Sequence, residues 1–166
     1  MWRQYFGSDA IIFGVDIDPE CSKYDGRFAQ VRVGSQTDVH FLSNVVEEMG
    51  GIDVVLDDGS HNMSDILLSL RALFPKLNQD GVYLIEDLHT AYWRKHGGGY
   101  RSSKNFFNVV RDLMDDMHHW YHERKMREQL IGECCSGLHV HDSIVVLEKG
   151  GVHRPVHSQV VSRSTR

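Results

Sequence analysis

The sequence predicts an α/β fold with a mostly parallel sheet and an antiparallel hairpin at its C-terminal end. Three observations carry this. The apolar runs IIFGV, IDVVL and VYLI have the length of buried strands. Amphipathic segments of helical period separate the later runs, as parallel neighbours require. GLHVHDSIVVLEKG reads as two strands joined by a tight turn at Asp142-Ser143. Each of the three runs also ends in acid: Asp16 and Asp18, Asp57 and Asp58, Glu86 and Asp87. In a parallel sheet such ends lie along one edge, where open α/β sheets bind ligands.

Residues 2–8 (WRQYFGS) read as the end of an amphipathic helix closed by Gly7. Residues 11–18 form a strand stopped by Pro19, and 29–34 (AQVRVG) a shorter second one. Asp38 opens a helix with Phe41, Leu42, Val45, Val46 and Met49 on one face, closed by Gly50 and Gly51. IDVVLDDG (52–59) is a continuous buried strand. Apolar positions 63, 66, 67, 70, 73 and 77 predict a helix over 62–77, bent or ended near Pro75. Asn78-Gln79-Asp80-Gly81 reads as a turn into the strand GVYLIEDL.

HTAYWRKHGGGYRSS reads as a long surface loop. Within it Tyr92 and Trp93 suit core packing or stacking on a sugar, and Gly97-Gly98-Gly99 a lid or a linker. Phe106, Val110, Leu113, Met117 and Trp120 mark one face of a helix over 105–121, which leaves His118, His119 and His122 solvated. The expected domain is 1–150, and the polar stretch 151–166 is expected to be disordered.

A net charge of -5 argues against nucleic acid as a partner. No run approaches the roughly 20 apolar residues of a membrane span, so no membrane partner is expected. Cys134 and Cys135 are adjacent and Cys21 is distant, which suits reduced thiols in a cytoplasmic protein and gives no zinc spacing.

The segments GVDIDP (14–19), VGSQTD (33–38), IDVVLDDGSH (52–61), LFPKLNQDGVYLIEDLHTAYW (73–93) and HDSIVVLEK (141–149) resemble a known family. It is the class I S-adenosylmethionine-dependent methyltransferases, and within them the metal-dependent sugar O-methyltransferases of macrolide biosynthesis. The resemblance implies a Rossmann-like class I sheet, S-adenosylmethionine and Mg²⁺ as cofactors, and a sugar or macrolide-like hydroxyl as acceptor. It places Asp16 on the ribose, Gly34, Ser35 and Gln36 around the adenine, and Asp57 with the cofactor-binding residues. It makes Asp58, Glu86 and Asp87 the Mg²⁺ ligands and His61, beside Asp58, the catalytic base. Members carry a strand and a glycine-rich loop ahead of the segment matching MWRQYFG, so residues 1–150 are expected to be an incomplete domain. The family tends to assemble, which adds a homo-oligomer to the expectations.

Plainer readings stand beside these. Asp57 and Asp58 can cap the helix beginning near Asn62. Asp18 before Pro19 can be a strand-end residue, while His89 can orient a metal ligand or touch substrate, or be a loop residue. A non-catalytic fragment with the same fold, or a metal-dependent hydrolase or hydroxylase, remains open.

Overall fold

Where an apolar run meets turn residues, a strand forms in the computed structural model, which describes residues 2–124 and 131–158. Helix α1 (Trp2–Phe6) ends at Gly7, whose φ of +94° only glycine adopts without strain. Strand β1 (Phe13–Asp16) pairs in parallel with β2 (Gln30–Val33). Between them Asp18 caps a 3₁₀ turn, Pro19–Tyr24, by accepting from the Glu20 N–H. Asp38 caps α2 (Val39–Met49) through the Phe41 N–H, and Gly50 closes that helix in the left-handed region.

Strand β3 (Ile52–Asp57) is parallel to β4 (Leu77–Ile85). Helix α3 (Met63–Leu73) crosses between them and is capped by Asn62, not by Asp57 or Asp58. The segment expected as a turn at 78–81 is instead an irregularity inside β4: the register shifts between Ile52 and Val54, and Asp80 sits at φ +63°. Helix α4 (Phe106–Met117) follows, and β5 (Cys135–His141) and β6 (Ile144–Lys149) form the expected antiparallel hairpin.

Among the described residues the strands make two sheets, not one. The larger has the order β3-β4-β6-β5, with β4 antiparallel to β6, and the smaller is β1-β2. Among the described residues β1 bonds only to β2, and β3 only to β4 and not to the small sheet. That explains a departure from the sequence reading. Val54 and Leu56, expected inside a doubly covered strand, are 42% and 36% exposed.

The main core lies around the four-stranded sheet. Leu70 and Phe74 from the α3 side, Tyr83 and Ile85 from β4, Phe106 from α4, and Val145 and Leu147 from β6 are all fully buried. Tyr92 and Trp93 are outside it, half exposed, with Tyr92 stacked on Phe107. The glycine run is tied down: the Gly99 N–H donates to the Ala91 carbonyl, and Asn105 Nδ2 donates to the Gly99 carbonyl. His118 and His122 are exposed, whereas His119 is half-buried with its ring against Trp120. Asp116, on the buried face of α4, accepts from the Ile131 and Gly132 N–H groups. Residues 151–158 form neither helix nor strand, and 159–166 lie outside the described residues.

Candidate active site

The C-terminal ends of β1 and β3 open onto one pocket of about 260 Å³. Its lining joins Val15, Asp16 and Ile17 to Gly34, Ser35 and Gln36, and to Asp58, Gly59 and Ser60. Five residues expected from the sequence thus meet here: Asp16, Gly34, Ser35, Gln36 and Asp58. Asp16 follows from the strand end. Its carboxylate accepts the Asp18 N–H at 2.9 Å, and that bond, with a contribution from the Cys21 thiol, holds its carboxyl below the usual range.

Gln36 is the keystone of the pocket wall. Its Oε1 accepts the Ser60 N–H at 2.6 Å, while its Nε2 donates to Asp57 Oδ1 and Ser69 Oγ, each at 3.3 Å. The approach is so close that a Cβ on Gly59 would overlap the Gln36 amide. Gly34 is equally constrained, since a Cβ there would sit 2.5 Å from the Phe41 ring.

Asp57 turns away from this pocket. Its buried carboxylate accepts from Ser69 Oγ at 2.5 Å and from the Tyr83 hydroxyl at 2.9 Å. Burial pushes its carboxyl above the usual range, opposed by those donors, the Gly59 backbone and Gln36. Asp57 is absent from the lining of this pocket and meets it only through the Gln36 amide, which donates to its carboxylate. Two members of this network, Ser69 and Tyr83, escaped the sequence reading. A tyrosine in a buried strand does signal a required partner, because its hydroxyl must be satisfied.

Beside the pocket a second group converges. Asp58, His61 and Asp87 offer ligand atoms that all lie within 4.8 Å of one another. His61 Nε2 stands 3.9 Å from Asp58 Oδ1 and 3.8 Å from Asp87 Oδ2. His61 and Asp87 both adopt left-handed backbone, φ +53° and +55°, at a cost of about 1–2 kcal/mol each. Strain of that kind clusters at functional sites.

Glu86 stays outside this group. Its N–H still bonds to the Asp57 carbonyl, so it continues the strand, and successive side chains on an extended chain point to opposite sides. Asp87 is released from that alternation by its left-handed turn. Two of the three expected carboxylates therefore converge, with the imidazole between them.

The surroundings are aromatic. His96 lies 6.4 Å from His61 between ring centroids, and the half-exposed Trp93 touches both His96 and His89. Two converging carboxylates suit a hard divalent cation such as Mg²⁺, which prefers oxygen ligands. The thiols of Cys134 and Cys135 stand apart from this chemistry: burial pushes Cys135 up to about 11 and raises Cys134 as well.

No family model matches the chain. It is 37% identical over 155 residues to 8-demethyl-8-(2-methoxy-alpha-L-rhamnosyl)-tetracenomycin-C 3'-O-methyltransferase of Streptomyces olivaceus, covering 90% of this chain and 39% of that protein. It is 34% identical to 8-demethyl-8-alpha-L-rhamnosyl tetracenomycin-C 2'-O-methyltransferase of the same organism, covering 93% and 43%. Among solved structures it is similar to the MycE methyltransferase of the mycinamycin biosynthetic pathway in complex with Mg and SAH. That match has a TM-score of 0.81 and 31% identity, and covers 90% of this chain and 40% of that one. The chain thus spans about two-fifths of the length of the curated relatives it matches, 39% and 43%. Among the described residues no helix is long and apolar enough to cross a membrane.

Proposed function

We propose that this chain, homologous over 90% of its length to a sugar O-methyltransferase and folded as a class I methyltransferase domain, serves S-adenosylmethionine-dependent, Mg²⁺-assisted methylation of a sugar hydroxyl. The observation that carries the reading is adjacency: Asp58 lines the strand-end pocket and also belongs to the Asp58-His61-Asp87 group. A nucleoside site and a proton-transfer site are thereby joined through one residue.

When bound, the cofactor supplies an electrophilic methyl group and the cation supplies Lewis acidity. The chain's own residues do the rest. Asp16, ionised at neutral pH, presents acceptor oxygens to the paired hydroxyls of a ribose. Val15 and Ile17 give the pocket apolar lining, and Gln36 and Gly59 pack against each other in its wall. Asp58 and Asp87 are the residues that would hold the cation. His61 Nε2 faces the space between the two carboxylates, where it can take the proton of an acceptor hydroxyl. General-base help of this kind contributes about 10²–10⁴-fold. An oxygen-preferring ion leaves the imidazole free for that task.

Calorimetric titration with S-adenosylmethionine tests the reading, with saturable binding expected. His61→Ala is expected to lower turnover about 10²–10⁴-fold while leaving cofactor affinity unchanged. A folded chain that binds no cofactor would instead be a non-catalytic methyltransferase-fold segment. Consumption of a glycoside with Mg²⁺ and no cofactor would assign hydrolysis.

A further inference from the structure

The carboxylate of Asp87 is aimed by a left-handed backbone conformation, φ +55°, that is uncommon outside glycine and is fixed here by its neighbours. On its N-terminal side the restraint is the Glu86 N–H bond to the Asp57 carbonyl, 3.0 Å. Its own carbonyl accepts from the Thr90 N–H at 3.0 Å and from Thr90 Oγ1 at 2.7 Å. On the C-terminal side the restraint comes from a distant part of the chain, the turn between β5 and β6. There the Ser143 carbonyl accepts the Leu88 N–H at 2.9 Å. Ser143 Oγ accepts the His89 backbone N–H at 3.1 Å and lies 2.8 Å from His89 Nδ1. His89 Nδ1 is in turn 3.8 Å from Asp87 Oδ1, on the opposite carboxylate oxygen from His61. Ser143 is itself left-handed, φ +63°, the third such residue gathered at this place.

We propose that Ser143 is a positioning residue for metal binding: its hydroxyl, bonded to the backbone and ring of His89, fixes the turn that gives the Asp87 carboxylate its coordinating direction. This rests on the cation reading given above. Among the described residues both bonds of the hydroxyl go to His89 and none to β5 or β6, so its placement serves the loop and not the hairpin ladder. A group that orients a ligand from behind typically accounts for 10–100-fold in metal affinity.

Ser143→Gly isolates the effect, since glycine keeps the left-handed turn and the carbonyl bond to Leu88 while deleting the hydroxyl. Mn²⁺ binding to the full chain, followed by electron paramagnetic resonance, gives a readout free of turnover. The expected result is about tenfold weaker Mn²⁺ affinity with an unchanged circular dichroism spectrum. Equal Mn²⁺ affinity in Ser143→Gly and the unaltered chain overturns the positioning role alone. A shift in melting temperature without a change in affinity does the same, because it makes the bond merely structural. Failure of the unaltered chain to bind Mn²⁺ overturns the cation reading and this proposal with it. Should Ser143→Gly fold poorly, His89→Ala removes the same ring contact from the other side and is read in the same way.

Discussion

Tyr83→Phe probes the buried network that sets the pocket wall. The phenol is wholly buried and its hydroxyl donates to Asp57 Oδ2 at 2.9 Å, so phenylalanine keeps the ring and deletes one hydrogen bond. Asp57 would then be left with Ser69 Oγ, Gln36 and the Gly59 backbone. A hydrogen bond to a charged group contributes about 1.5–3 kcal/mol, and one to a neutral group about 1. The folded-state pKa of Asp57 is raised by burial, so its contribution to stability is fully present below the ordinary carboxylate value and is lost as pH rises through the raised one. The Tyr83 hydroxyl limits that loss, because it favours the charged form. The gap between variant and parent must therefore widen as pH rises. With a urea slope of about 2 kcal/mol per molar, the midpoint falls by about 1 M at pH 7.5 and about 0.5 M at pH 4. Urea titrations followed by circular dichroism at both pH values measure this. A shift that is equal at the two pH values, or larger at the acid one, refutes the reasoning.

Other consequences can be measured on the same material. Gly59→Ala drives a Cβ into the Gln36 amide and should weaken S-adenosylmethionine binding at least tenfold in calorimetry, with Mn²⁺ affinity little changed. Asp16→Asn removes the anionic acceptor without altering shape, so cofactor affinity should fall about tenfold or more while Mn²⁺ binding is retained. Leu147→Ala empties a fully buried position on β6 and should cost about 2–5 kcal/mol in urea denaturation. Zn²⁺, which accepts imidazole readily, should bind more tightly than Mg²⁺ by engaging His61, and His61→Ala should weaken Zn²⁺ binding more than Mg²⁺ binding in calorimetry.

The strands were legible because apolar runs and their bounding residues act locally: Pro19, Asp38 and Gly50 punctuate the chain as their chemistry requires. The acidic strand ends were legible for the same reason, and Asp16 and Asp58 do share a pocket. What escaped reading depends on contacts between distant segments. Ser69 is an ordinary helical serine until Tyr83 and Asp57 are brought to it. Ser143 is an ordinary turn residue until the loop after β4 lies beside it. Glu86 and Asp87 look interchangeable in sequence, and only the left-handed backbone at 87 separates their directions. Trp93 carries the composition of a core residue yet stands half exposed, because its neighbours in space are His89 and His96 and not the apolar cluster.

The small β1–β2 ribbon reaches the rest of the molecule without a shared ladder, chiefly through the Gln36 amide and the packing of α2 on α3. Such a ribbon should exchange its amide protons sooner than β4 and β6, whose bonds lie deep in the apolar cluster. Any nucleoside seated between Asp16 and Gly59 touches both parts at once and so works as a rivet. By linkage the effect is mutual: whatever steadies the ribbon tightens the ligand, and by the same factor the ligand steadies the ribbon.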